Sequence, residues 1–119
     1  IAEIMRNRDW VFEACDWRET LSKCTEDDFV YLDPPYIGLN TDYYSLWTKQ
    51  DAEELAKRAK QLSCGFALSM WQEKRGCRNA HIKEQWSGNV VKTFSHFYHV
   101  GPTMDARGHV VEALIIKPC

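Results

Sequence analysis

Two consecutive prolines, Pro34 and Pro35, stop the apolar run Phe29-Val30-Tyr31-Leu32, and together they leave that run few possible structures. Each proline locks its own φ, lacks an N–H and drives the residue before it into an extended conformation, so neither a helix nor an internal strand can pass through. A run of four apolar residues without alternation suits a short strand buried on both faces, as in a parallel sheet covered by helices. Asp33-Pro34-Pro35-Tyr36 then forms a stiff exit at the carboxyl end of that strand. In open α/β sheets this edge is where ligands bind.

The flanking segments supply the other layers. Trp10 to Ala14 reads as a short strand, closed by Asp16 and followed by a one-turn helix through Thr20 to Lys23. Ala52, Leu55, Ala56, Ala59 and Leu62 recur at helical spacing, with Glu53, Glu54, Lys57, Arg58 and Lys60 on the opposite face. Thr48 and Asp51 form a capping box with Asp in place of the usual Glu, and the helix stops near Ser63, with Gly65 available for a left-handed turn. Phe66 to Met70 is a second buried strand. A short helix from about Asn79 to Trp86 follows, then strands Val90 to Phe94 and Val110 to Ile116, which pair antiparallel. This order predicts an α/β fold: a partial Rossmann-like, mostly parallel sheet with an antiparallel terminal strand pair and a right-handed crossover from Phe29 to Met70.

Bulk properties narrow the function classes. A chain of 119 residues, 45% hydrophobic and 27% charged, has one domain's worth of material and can bury a core. No apolar stretch approaches the roughly 20 residues of a membrane span, and the N-terminus lacks the layout of a signal peptide, so no membrane partner and a cytoplasmic location are expected. Cys15, Cys24, Cys64, Cys77 and Cys119 are odd in number and contain no C-x-x-C pair, which predicts reduced thiols in and around the core. His96 and His99 fall on opposite faces of a strand, so no metal site is expected. A net charge of -2 gives no global attraction to nucleic acid, and any such partner must be held by a local patch. Lys74, Arg75, Arg78 and Lys83 form one basic cluster, readable either as phosphate contacts or as solvated charge.

The chemistry of the proline motif is more specific. The carbonyls of Asp33 and Pro34 project from a segment that cannot turn into a helix, and beside the Asp33 carboxylate they make an acceptor-only pair suited to an NH2 group with two donors. Tyr36 adds a flat face for stacking on a planar ring. These groups suit an aromatic amine.

Asp33-Pro34-Pro35-Tyr36 at a strand end resembles the catalytic D-P-P-Y motif of the amino-group DNA methyltransferases. The surrounding pattern is similar to the C-terminal part of the Dam-like class of N6-adenine methyltransferases. Phe12-Glu13-Ala14-Cys15-Asp16-Trp17 is similar to the strand-end acid of that class, Tyr44-Ser45-Leu46-Trp47 to the segment before its helix, and Phe66 to Ser69 to its next strand. The segment from Arg107 through Glu112 to Ile116 resembles its closing strand. The resemblance implies S-adenosylmethionine as cofactor, held by Asp16, Trp17 and Asp33. It implies double-stranded DNA as partner in a restriction-modification setting, with a flipped adenine held by the catalytic residues Asp33, Pro34, Pro35 and Tyr36, its ring stacked on Tyr36 and its amine held by the Asp33 carboxylate and the Pro34 carbonyl. Tyr43, Tyr44 and Trp47 would line the base pocket, and Tyr44, Lys74, Arg75, Arg78 and Arg107 would contact DNA, Arg107 alternatively pairing with Glu112.

The sequence also departs from the class. The Phe-x-Gly-x-Gly type loop that cradles the methionine end of the cofactor, the acid of the second strand and the target-recognition segment are not in these residues, and Met70 stands where the class often has Asn. Residues 1–119, opening at Ile1, are therefore expected to be one domain, the C-terminal catalytic portion of a methyltransferase that works with a missing N-terminal half or a complementary subunit. The alternatives are an inactive remnant or DNA-binding accessory subunit, and the same chemistry on cytosine N4 or RNA. Asp16-Trp17 reads equally as a helix cap with a buried Trp.

Overall fold

A computed structural model describes residues 3, 6, 8–36, 47–74, 76–98 and 108–119. Helix α1 spans Trp17–Ser22, strand β1 Phe29–Leu32, helix α2 Lys49–Gln61, strand β2 Gly65–Lys74, strand β3 Cys77–Arg78, helix α3 Ala80–Gln85, strand β4 Val90–Tyr98 and strand β5 Gly108–Lys117. The sheet runs β1-β2-β5-β4, with β3 beside the far end of β2.

The pairing β1–β2 is parallel, Val30 opposite Phe66 and Leu32 opposite Leu68, with α2 as the crossover. The pairs β2–β5, β4–β5 and β2–β3 are antiparallel. This corrects the expectation of a mostly parallel sheet, while the antiparallel pairing of β4 with β5 is as expected. The correction comes from where β5 lies: it inserts between β2 and β4, so both of its neighbours are antiparallel to it, although β1, β2 and β4 share one direction.

Helix α2 forms for the reasons legible in its sequence. Its capping box is present, with the Thr48 hydroxyl accepting from Asp51 N at 3.2 Å and the Asp51 carboxylate accepting from Thr48 N at 2.9 Å. Leu55, Ala56 and Ala59 pack against Phe66, Leu68, Met70, Ala113 and Ile115, and Trp86 closes the cluster edge-on to Phe66 with ring centroids 5.8 Å apart. At the helix end Leu62 is the cap, and the Lys117 ammonium donates to its carbonyl.

Gly65 is not in a left-handed turn; it is the first residue of β2, and the positive-φ glycines among the described residues are Gly76 and Gly88. Its requirement is space. A Cβ there would lie 2.8 Å from Cys119 Sγ, 2.9 Å from Cys119 N and 3.0 Å from Lys117 O, where β5 passes.

Residues 10–14 are not a strand. Val11 and Phe12 are 83% and 77% exposed, and Trp10 stacks on Phe12. Nor is β1 buried on both faces: helix α2 covers one side, and Phe29 and Tyr31 on the other remain exposed. Cross-strand partners share a face, so Tyr31, Ala67, Ile116 and Val90 form one row on that side. Strand β2 is longer than predicted, with a bulge between Trp71 and Glu73, and turns back into the unpredicted β3. Of the cysteines, all free, Cys64 is buried and Cys24 half-buried, whereas Cys15, Cys77 and Cys119 are exposed, against the expectation of core thiols for these three. Among the described residues no helix is long and apolar enough to cross a membrane.

Arg18 joins α1 to α2. Its guanidinium grips the Glu54 carboxylate through Nε at 3.0 Å and Nη2 at 2.7 Å, reaches Asp51 at 3.2 Å and lies over the Trp17 ring. Hydrogen bonds from Arg18, then Arg58, hold the Glu54 carboxyl down from its ordinary 4.5 to about 2 despite opposing desolvation. Stability from a lowered carboxyl is present above its unfolded value and lost as pH falls through the folded one. The melting temperature of Glu54→Gln should therefore fall below that of the parent at neutral pH, and the gap should close between pH 4.5 and about 2 in thermal melts followed by circular dichroism. Gly65→Ala should cost about 1–3 kcal/mol in urea unfolding, because the close neighbours include backbone atoms that must shift.

Candidate functional site

The parallel register carries the proline motif to one end of the sheet. Leu32 is the last paired residue of β1, opposite Leu68, so Asp33 emerges beside Ser69, and the Ser69 hydroxyl donates to Asp33 Oδ1 at 2.6 Å. Asp33 and Pro35 are exposed, whereas Pro34 and Tyr36 are half-buried.

Two spaces adjoin the motif. A cleft of about 370 Å³ is lined by Asp33, Pro34 and Pro35 from the motif, Cys15 and Trp17 at the start of α1, and Trp47 before α2. That is within the size range of small-molecule sites. Behind the prolines lies a cavity of about 20 Å³, bordered by Tyr36, Trp47, Asn79, His81 and Trp86. It has room for about one water molecule and none for a base. Pro34, Pro35, Trp47 and Leu55 line both spaces.

Local sequence explains how each wall is held. Trp17 stands at the first position of α1, packs edge-on to Trp47 with centroids 6.1 Å apart and is covered by Arg18. Asp16, which precedes it, is the N-cap of α1: its Oδ1 accepts from Arg18 N at 2.8 Å, and its Oδ2 meets the Arg18 guanidinium at 3.2 Å. The helix therefore begins three residues earlier than predicted. Asn79 braces the bulge, donating from its side chain to Trp71 O at 2.9 Å and from its backbone to Gln72 O at 2.8 Å. His81 is buried, its Nδ1 has no hydrogen-bond partner among the described residues, and burial lowers its pKa, which favours the neutral ring. Burial first, then the charges of Glu112 and Asp33, raise the Tyr36 phenol above its ordinary 10, with a Ser69 hydrogen bond acting the other way.

Of the residues singled out in the sequence, the structure brings Trp17, Asp33, Pro34, Pro35 and Trp47 to one cleft and sets Tyr36 just behind it. Lys74 closes β2 at its carboxyl end, beyond Ser69, and Arg78 is on β3 and meets Glu73 at 3.5 Å. Lys83 is exposed on α3. Tyr43, Tyr44, Arg75, His99 and Arg107 lie outside the described residues, as does the side chain of His96. Among the described residues no cluster of His, Cys, Asp and Glu could hold a metal ion. Ser69, Asn79 and Cys15 were missed as site residues. Ser69 carried a signal, being the one polar side chain in the apolar run Phe66 to Met70.

Asp16→Ala should lower stability by about 1 kcal/mol in urea unfolding through loss of the cap, and Asp16→Ser should restore most of it. The cleft is bounded by an acid, two prolines and two indoles, and a sequence comparison gives the family: the model of the D12 class N6 adenine-specific DNA methyltransferases matches residues 1–99, so the chain belongs to that family.

Proposed function

We propose that this chain is the catalytic, base-holding part of a Dam-like adenine-N6 DNA methyltransferase that uses S-adenosylmethionine, with its proline motif acting as the D-P-P-Y clamp. The observation that carries the reading is the convergence of Asp33, Pro34, Pro35, Trp17 and Trp47 on a single cleft of ligand size. Family membership supports DNA as the substrate.

A base inside a duplex cannot reach such a cleft and must be flipped out, unstacking at a cost of a few kcal/mol that stacking in the protein offsets. In this reading the extruded ring enters the cleft, and the stacking that the resemblance gives to Tyr36 requires that side chain to turn from the small cavity toward it. The Asp33 carboxylate and the Pro34 carbonyl accept from the two amine hydrogens, drawing the nitrogen lone pair out of ring conjugation and aiming it. Positive charge develops on that nitrogen during transfer, and both acceptors stand where it forms. No covalent bond to the protein is required, and the main contribution is positioning, worth several kcal/mol.

The donor set fits the cofactor: Trp17 offers an aromatic face to a purine, and Asp33 offers an acceptor at the same cleft. When bound, S-adenosylmethionine supplies the methyl group. Asp16 holds α1, and with it Trp17, in place, and this reading gives it any cofactor contact only through oxygen capacity left over from the cap. Lys74 and Arg78 are proposed as backbone contacts to DNA, with Tyr44, Arg75 and Arg107 added from the resemblance alone.

We further read the sheet as part of a Rossmann-like sheet completed by a second, cofactor-binding half, in a cytoplasmic restriction-modification enzyme. The exposed row through Tyr31 and Val90, with Phe29 and Phe94 also exposed, supports a covering element on that face.

In the complete protein Asp33→Ala should abolish transfer of tritiated methyl groups to unmethylated DNA while leaving DNA affinity within a few-fold in gel-shift titrations. Retained transfer would reject the role given to Asp33.

A further inference from the structure

We propose that Ser69 is a positioning residue for methyl transfer, its hydroxyl fixing the orientation of the Asp33 carboxylate that accepts from the amine; this rests on the role of Asp33 given above. One contact defines the role: Ser69 Oγ is 2.6 Å from Asp33 Oδ1.

Donor counting sets the direction of the bond. A carboxylate only accepts and a serine hydroxyl has one proton, so that proton goes to Asp33. A hydrogen bond to a charged acceptor is short, as this one is. With Oδ1 taken by Ser69, Oδ2 is the oxygen left to meet an incoming amine.

The rigidity comes from the sheet. Ser69 lies inside β2, next to the Leu68–Leu32 pair on one side and opposite Leu114 of β5 on the other, so its backbone is hydrogen-bonded into the sheet. Asp33 lies past the end of β1, where no ladder holds it. Ser69 thus carries the order of the sheet to an acid outside it. Its neighbours Phe66, Ala67, Leu68 and Met70 offer no such group.

The test compares Ser69→Ala, Ser69→Thr and Asp33→Ala in the complete protein, using single-turnover transfer from tritiated S-adenosylmethionine to unmethylated DNA, with DNA and cofactor affinities measured separately. Ser69→Ala is expected to slow the transfer step about 10- to 100-fold with both affinities nearly unchanged, the size of effect that small misplacement of reacting groups produces. Ser69→Thr keeps the hydroxyl on a side chain suited to a strand and should recover most of that loss. The proposal is overturned if Ser69→Ala transfers at the parent rate, if Ser69→Thr is as slow as Ser69→Ala, or if the loss lies wholly in affinity. Asp33→Ala separates the two levels: an active Asp33→Ala removes the underlying reading, whereas an inactive one beside a fully active Ser69→Ala removes only the role of Ser69. Should Ser69→Ala fail to fold, Ser69→Cys, similar in size but a weak donor, replaces it with the same expectations.

Discussion

The parallel ladder between Phe29–Leu32 and the start of Gly65–Lys74 sets the position of everything functional in this chain. Register in a sheet is a discrete choice, because a slip of one residue turns every side chain to the other face. With Leu32 opposite Leu68, both leucines point into the core beneath the crossover helix, and the next pair of positions brings Asp33 to Ser69 on the opposite face. The prolines then prevent the strand from continuing, so the acid stands at the sheet edge instead of inside it. A shift of one residue would bury the carboxylate under α2.

The second requirement is a wall for the cleft, and that comes from the helices. Trp17 and Trp47 belong to segments far apart in sequence, and they meet because Arg18 ties the first helix to the second through Glu54 and Asp51. One cluster therefore does two things: it neutralises the acidic first turns of two helices, and it seats an indole beside the proline motif. The electrostatics are those of a partly exposed network, in which bidentate geometry and several partners matter more than any single ion pair.

Sequence reasoning succeeded where the controlling physics is local. The capping box at Thr48 and Asp51, the apolar stripe of the second helix and the stop imposed by Pro34 and Pro35 each depend on residues within a turn or two of one another. It failed where distant partners decide. Residues 10–14 have strand composition but pair with no strand. Gly65 looked like a helix terminator, yet its smallness serves the close passage of Cys119 and Lys117 from the far end of the chain. The apolar run of β1 suggested cover on both sides, although a helix covers only one. Asp16-Trp17 had two readings in the sequence, and the structure realises the cap while sending the indole to the cleft.

The residue order alone determined that a stiff acceptor-bearing turn, Asp33 to Tyr36, ends an apolar strand and precedes an amphipathic helix, because proline stereochemistry and helical periodicity act over a few bonds. Only the tertiary structure decided that β5 inserts between β2 and β4 and so makes most pairings antiparallel, that Trp17 and Trp47 line the same cleft as the motif, and that Ser69 meets Asp33. Strand order and register minimise the free energy of the whole core at once, and no short window of sequence contains that sum.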